Sequence, residues 1–404
     1  MINKPFWLSE SSLGYDQTQQ YPSLTSKESV DVCVIGGGLI GTFIAYWLSE
    51  LNVSVTLLEK DVLAGAASGR NTGFILPGTV EHFNRAVTLY GEEKADSIWR
   101  FTEKNYKQIL DISHEEKMDY DIQENGSLIL AGSEQEHKEL KESISFLKRL
   151  GIDAEWWSKA FVEKQIGTDQ LFGAIKTKVG AGIQPVKLVN ELSRINHGRG
   201  ISIYEKSPVA EIKEYESNSL KIMTDQGSVD CSMAVVSANA YTSHILNSFS
   251  DLIFPFQGQA FVTDPVSAPL FHEVIYANFG FEYWRQLKDG RLMVGGFREK
   301  DPKKGEGFST DINIDLIHGL YDYFNQLFPQ AGHPSISHYW AGTMGFSQDG
   351  LPIVGNTHMP HCFVCGGFTG HGLGFASAIG EMTAHLIVNG KADDSNLFHI
   401  SRFN

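Results

Sequence analysis

VDVCVIGGGLIGTFIAYWLSELNVSVTLLEK, residues 30–60, is the stretch whose reading decides the fold. Residues 30–35 are dominated by apolar and β-branched side chains, as a strand buried on both faces of a parallel sheet requires. Glycines follow at Gly36, Gly38 and Gly41. Beyond them Leu39, Ile40, Phe43, Ile44, Trp47, Leu48 and Leu51 recur with helical spacing, and residues 53–58 read as a second buried strand. In a strand–turn–helix–strand unit these glycines serve the tight turn, close approach of a pyrophosphate and close helix–strand packing. Phosphate would sit on the free N–H groups of the helix N-terminus. Glu59, 18 residues beyond Gly41, can accept hydrogen bonds from an adenosine ribose. The unit is therefore a dinucleotide site, for FAD or NAD.

At 404 residues the chain can build two domains with substantial cores. A composition of 42% hydrophobic and 20% charged residues is that of an ordinary globular protein. The net charge of −15 argues against a nucleic-acid partner, which needs a basic surface. No run of apolar residues is long enough for a membrane span, and the first ten residues carry no apolar signal region, so a cytoplasmic protein is expected. Four cysteines make no disulfide framework. The CxxC of Cys362 and Cys365 lies in an apolar strand-like run without a second pair to complete a zinc site, so buried thiols are expected and no metal is assigned.

Residues 5–8 read as an apolar anchor on the body. Residues 64–78, AGAASGRNTGFILPG, are too rich in glycine and small residues for regular structure; they suit close approach to a large flat ligand, with Arg70 and Asn71 as donors. Helices are expected over 86–115 and 134–150, the second with a Ser133–Glu136 capping box, and a strand over 126–131. A helix over 182–195 returns the chain to the first domain. A meander follows over 208–216, 220–224 and 227–231, with a further buried strand at 233–237. Residues 279–287 and 291–296 pair as a hairpin across 288–290. The lysine-rich run 300–307 reads as a solvated loop, and 311–328 as an amphipathic helix.

The C-terminal block repeats the opening logic. SHYWAGTMGFSQDGLPIVG (337–355) leads to CFVCGGFTGHGLGFASAIG (362–380): an apolar strand, a glycine cluster, then a helix to about residue 388. A helix N-terminus aimed at the pyrimidine edge of a flavin would favour the anionic reduced ring. His371 stands at the head of this helix, equally readable as a site residue or as a histidine fixed in a glycine turn.

These pieces together resemble the FAD-dependent amine and amino-acid oxidoreductases of the D-amino-acid oxidase superfamily, which includes glycine oxidase and sarcosine oxidase. The SGRN loop and the general layout are most similar to the γ-glutamylputrescine oxidase branch. The resemblance implies an α/β fold: a two-dinucleotide-fold FAD domain (1–85, 180–250 and 335–404) with a discontinuous α+β substrate domain (86–179 and 251–334) built on an antiparallel sheet. It implies FAD contacts at Gly36, Gly38, Leu39, Ile40, Gly41, Glu59, Lys60, Ser68, Gly69, Arg70, Asn71, Val209, Gly345 and the turn Phe368, Thr369, Gly370, His371, Gly372, Leu373. Three departures bear on function. Relatives of the glycine oxidase type carry an arginine for the substrate carboxylate just after the WAG segment, where this chain has Thr343 and Met344. Sarcosine oxidase has a lysine where Gly374 stands, and its oxygen-activating lysine corresponds to Met293. No cysteine stands near Gly342, so FAD is expected to be non-covalent.

The leading expectation is an enzyme that oxidises a C–N bond of a small amine or amino-acid derivative by hydride transfer to flavin N5, giving an imine that hydrolyses, with O2 or another acceptor taking the electrons. Tyr283, Trp284, Arg285, Tyr339 and Trp340 are candidate walls of the substrate cavity, with Tyr283 and Arg285 on one strand face and Trp284 on the other. Arg285 is the candidate for a substrate anion; His371, Arg285 and Tyr283 form the catalytic set. Two alternatives stay open: a 2-hydroxy-acid dehydrogenase with His371 as base, and a non-catalytic flavin-binding subunit.

Overall fold

The computed structural model describes residues 1–14, 18–215, 218–301 and 305–403. The opening unit folds as its pattern dictates: strand Lys27–Ile35, helix Leu39–Glu50, strand Val55–Leu58. The first strand lies at the centre of an eight-stranded sheet, parallel to Val55–Leu58 on one side and to Ser228–Val236 on the other. The meander ends differently from the expectation. Its third strand and the following buried strand are one element, Ser228–Val236, whose first half pairs with Ser219–Thr224 and whose second half pairs in parallel with Cys362–Gly366. No turn residue separates the two runs, so the ladder continues straight into the core. The meander's first strand is Val209–Tyr215; Glu216, its expected end, lies outside the described residues.

Helices Leu39–Glu50, Pro185–Gly198 and Ala376–Asn389 bury Phe43, Leu192 and Ile379 in one core on a face of this sheet. A second core joins Cys33, Ile35 and Val236 of the central strands to Leu220, Ile222 and Val229 of the meander, all three of these fully buried. All four cysteines are free and buried in this region, Cys362 and Cys365 on the strand as expected.

The second sheet has nine strands, in the order Ile2–Asn3, Ile336–Ser347, Ile253–Thr263, Leu292–Gly296, Glu282–Gln286, Val274–Ala277, Ser127–Leu130, Gly173–Thr177, Ala154–Ser158. It corrects two expectations. It is mixed rather than purely antiparallel, since Val274–Ala277 runs parallel to Ser127–Leu130 and Ile2–Asn3 parallel to Ile336–Ser347. And the strand Ile336–Ser347, allotted by sequence to the FAD domain, belongs to this sheet, paired with Ile253–Thr263 along its whole length. The hairpin Glu282–Gln286/Leu292–Gly296 turns where expected. Helix Ile314–Leu327 covers one face, and Phe324 and Phe328 pack on Trp284 at 6.1 and 5.5 Å. Lys303 and Lys304 of the expected solvated loop lie outside the described residues.

The expected helix over 86–115 is two, Phe83–Tyr90 and Glu92–Glu115, broken at Gly91. Ser133 caps Glu134–Arg149 as expected, but Glu136 does not complete the box. Its fully buried carboxylate instead accepts from Gly132 N, Asn278 N and Phe279 N, and so fixes the turn 278–281 above the hairpin. The anchor also forms: Phe6, Trp7 and Leu8 are buried, and Trp7 donates from Nε1 to the Asn71 carbonyl at 2.6 Å.

Candidate active site

The glycine turn is a backbone cradle. Gly36 has φ +117, which only glycine adopts readily, and a Cβ on Gly41 would lie 1.9 Å from the Gly36 carbonyl oxygen. Glu59 holds the turn from behind, accepting from Gly37 N at 2.8 Å and Asp61 N at 2.9 Å. Burial pushes its carboxyl above the usual range, opposed by those two hydrogen bonds. Ser68 Oγ accepts from Leu39 N at 2.9 Å, at the mouth of the helix N-terminus.

From Gly38, Leu39 and Ile40 a cavity of about 620 Å³ runs past Ser68, Arg70 and Asn71 to the turn Phe368–Leu373 and on to the hairpin. The loop that flanks it is more ordered than its composition predicts. It contains a 3-10 turn Ala67–Gly69 and a short strand Phe74–Ile75 pairing with Ala181–Gly182. Asn71 spends its amide on the Ala67 and Ser68 carbonyls and its oxygen on Gly73 N. Arg70 donates to the Gly65 and Ala341 carbonyls, and Trp340 Nε1 donates to the Arg70 carbonyl at 2.8 Å, so loop and second sheet are sewn together. Gly69 packs against Leu8, and Gly345 accepts from Thr369 N at 2.8 Å; neither lines the cavity. Lys60 and Val209 also lie off it: the Lys60 ammonium sits 3.5 Å from the Tyr241 ring centroid, and Val209 follows Ser207, whose N–H donates to the Glu59 carbonyl.

The C-terminal turn needs a correction. His371 precedes a 3-10 turn, Gly372–Gly374, and the helix begins only at Ala376. The helix N-terminus is already capped, because Asn105 Oδ1 accepts from Ser377 N and Ala378 N at 2.8 and 3.3 Å. What faces the cavity is the shorter turn, whose leading residues Gly372 and Leu373 have no intrahelical acceptor for their N–H groups.

Beside this turn a wall of four rings lines the cavity. Tyr276 lies 5.7 Å from Phe74, 5.8 Å from Tyr283 and 6.3 Å from His371. Tyr283 can lie flat there because its strand partner is Gly295, where a Cβ would meet the ring at 2.1 Å. Burial raises the Tyr276 phenol and pushes that of Tyr283 up to about 12, so both stay protonated. Burial lowers His371 to about 4 and keeps it neutral; its Nε2 is buried without a hydrogen-bond partner among the described residues.

Arg285 is placed elsewhere than expected. It is 3% exposed, and its guanidinium donates to the Gly73 and Ile183 carbonyls at 2.9 and 3.0 Å and toward Gln123 Oε1 at 3.3 Å. It does not line the cavity, and neither do Trp284, Tyr339 and Trp340. Arg298, which sequence reasoning passed over, does. Its only sequence signal is its place two residues after the RLMVGG strand, at a chain reversal where Phe297 has φ 61.

The chain matches the FAD dependent oxidoreductase family over residues 31–386. It belongs to that family. Among curated relatives it is 26% identical to the probable oxidoreductase OrdL of Haemophilus influenzae, over 95% of this chain and 88% of that protein. It is 24% identical to the gamma-glutamylputrescine oxidoreductase of Escherichia coli, over 91% and 85%. The crystal structure of glycine oxidase from Geobacillus kaustophilus superposes with a TM-score of 0.81 at 19% identity, over 93% and 99% of the two chains, which shows the shared fold. The protein is thus an FAD-dependent oxidoreductase, and the cradle of glycines, the Glu59 carboxylate and the long cavity fit that cofactor. No helix among the described residues is long and apolar enough to cross a membrane.

Proposed function

We propose that this FAD-dependent oxidoreductase oxidises a C–N bond in an amine or amino-acid derivative. The observation that carries the reading is the wall of four rings, Phe74, Tyr276, Tyr283 and His371, that lines the cavity beside the Gly372–Leu373 turn. FAD, when bound, supplies a hydride acceptor at N5. The rings exclude water and disfavour the ammonium form, leaving the neutral amine whose lone pair forms the C=N bond as the α-hydrogen leaves with its electron pair. Protonated phenols and a neutral His371 add no charge to oppose that step. The imine product then hydrolyses in water.

Alcohol oxidation would need a base for the hydroxyl proton. A histidine held near pKa 4 is a poor acceptor at neutral pH, so the wall favours amines over 2-hydroxy acids. No cysteine lines the cavity, which supports FAD held without a covalent bond. Anaerobic bleaching of the flavin tests the reading. Amines or N-substituted amino acids should bleach it and 2-hydroxy acids should not; bleaching by hydroxy acids alone, or by nothing, overturns it. Recovery of colour in air then tells an oxidase from a dehydrogenase, and acid precipitation should leave the flavin in the supernatant.

A further inference from the structure

Three arginines line the cavity, and two are already spent. Arg70 donates to the Gly65 and Ala341 carbonyls, and Arg85 is paired with Glu139 at 2.6 Å and Glu81 at 3.7 Å. The Arg298 guanidinium forms no ion pair or hydrogen bond among the described residues, although its carbonyl accepts from Asp301 N. Its guanidinium carbon instead lies 4.9, 5.3 and 5.6 Å from the ring centroids of Phe346, Phe281 and Phe256. Ring faces hold a cation in place but leave its N–H fork unmatched. Desolvation lowers its pKa, opposed by the nearby Tyr283 and Glu299, and the Tyr283 phenol is close enough to feel its charge. A planar, framed fork of this kind matches a carboxylate better than a point charge would.

We propose that Arg298 binds a carboxylate of the substrate, with the Tyr283 hydroxyl beside it, so that the enzyme acts on amines that carry a carboxylate. The inference rests on the amine reading above and narrows its substrate class. It also accounts for Thr343, whose hydroxyl is buried and donates to the Phe308 carbonyl: the anion anchor stands on the segment after Leu292–Gly296 rather than on Ile336–Ser347.

The test compares 5-aminopentanoate with pentylamine on the FAD-loaded enzyme. Wild type should prefer the carboxylate, and Arg298→Met should cut the ratio of the two kcat/KM values by roughly ten- to a hundredfold, the size of one charged hydrogen-bonded contact. The loss should fall mainly on KM, and Arg298→Lys should restore part of it. Lys300→Met, on the same turn but packed on Phe297 outside the cavity, is the control and should leave the ratio unchanged. Equal loss on both substrates, or no preference in wild type, overturns the proposal. A second readout needs no turnover: glutarate, which carries no amine, should perturb the flavin spectrum of wild type and do so much more weakly in Arg298→Met. Glutarate binding that depends on Arg298 while no amine bleaches the flavin would sustain the anion site and sink the amine reading; glutarate binding indifferent to Arg298 would sink the anion site.

Discussion

The nucleotide end and the hairpin end of one cavity are built from different materials. At the glycine turn the surface is largely main chain, Gly38 to Ile40 at a helix N-terminus, backed from behind by glycines that admit no Cβ and by a buried carboxylate, Glu59, tied to two N–H donors. At the hairpin it is side chain: Tyr276, Tyr283, Phe281 and Arg298, carried on strands and turns whose own backbone bonds are made elsewhere. Glu282 marks the contrast. It is 1% exposed behind the hairpin, and neither of its carboxyl oxygens makes a well-formed hydrogen bond, Asn278 being a polar neighbour. A backbone-built surface specifies residue types by steric necessity, whereas a side-chain-built one is free to vary with the ligand.

The largest expected effect breaks the first region. Gly41→Ala places a methyl against the Gly36 carbonyl, at a strain of about 1–3 kcal/mol. That is about ten- to a hundredfold in FAD affinity, read by flavin fluorescence titration of the apoprotein. An unchanged affinity would mean that the two ends do not differ as described.

The second region should yield more gently. Gly295→Ala pushes the Tyr283 ring aside without touching the nucleotide cradle. FAD occupancy should hold while kcat/KM for the best amine falls roughly threefold to tenfold. Loss of FAD together with activity would erase the distinction.

An effect that spares function falls on stability alone. Burial, aided by the charge of Glu299, pushes the Glu282 carboxyl up to about 8. A folded pKa above the unfolded value of about 4.3 means the folded state holds the proton more tightly. Its contribution is therefore complete below about pH 4 and is lost progressively as pH rises to about 8. Glu282→Gln should melt like wild type at pH 5 and higher at pH 8, by roughly 1–4 kcal/mol, in thermal unfolding followed by circular dichroism. Parallel pH profiles would show that the carboxyl finds a partner.

The same contrast explains what could be read in advance. The strand–turn–helix–strand unit, Glu59 and the GFTGHG turn were legible because backbone geometry restricts their residues to glycine and a few others. Arg285 and Arg298 were not distinguishable, since one is an arginine within the hairpin and the other stands just after it. Strand alternation puts Tyr283 and Arg285 on one face, and that much holds. It cannot say that the carbonyls of Gly73 and Ile183 approach Arg285, from segments 212 and 102 residues away, and absorb its donors. The capping of Ala376–Asn389 by Asn105 was hidden for the same reason, its partner lying more than 270 residues earlier. The continuous strand Ser228–Val236 was split because its polar Ser232 resembles a break, although the ladder with Lys27–Ile35 runs on past it.

The pairing of Ile2–Asn3 with His338 and Tyr339 sets the order in which the molecule can be made. The opening strand of the dinucleotide unit leaves the ribosome early, but Ser228–Val236, beside it, waits for Cys362–Gly366 before its far edge is closed. The turn that faces the cavity from the C-terminal side, residues 372–374, is synthesised later still. Such distant pairings are slow to form and leave sheet edges bare in the meantime. Capture of FAD is therefore an event of the finished chain: a nascent protein stalled before residue 360 has its glycine cradle and nothing to close over it.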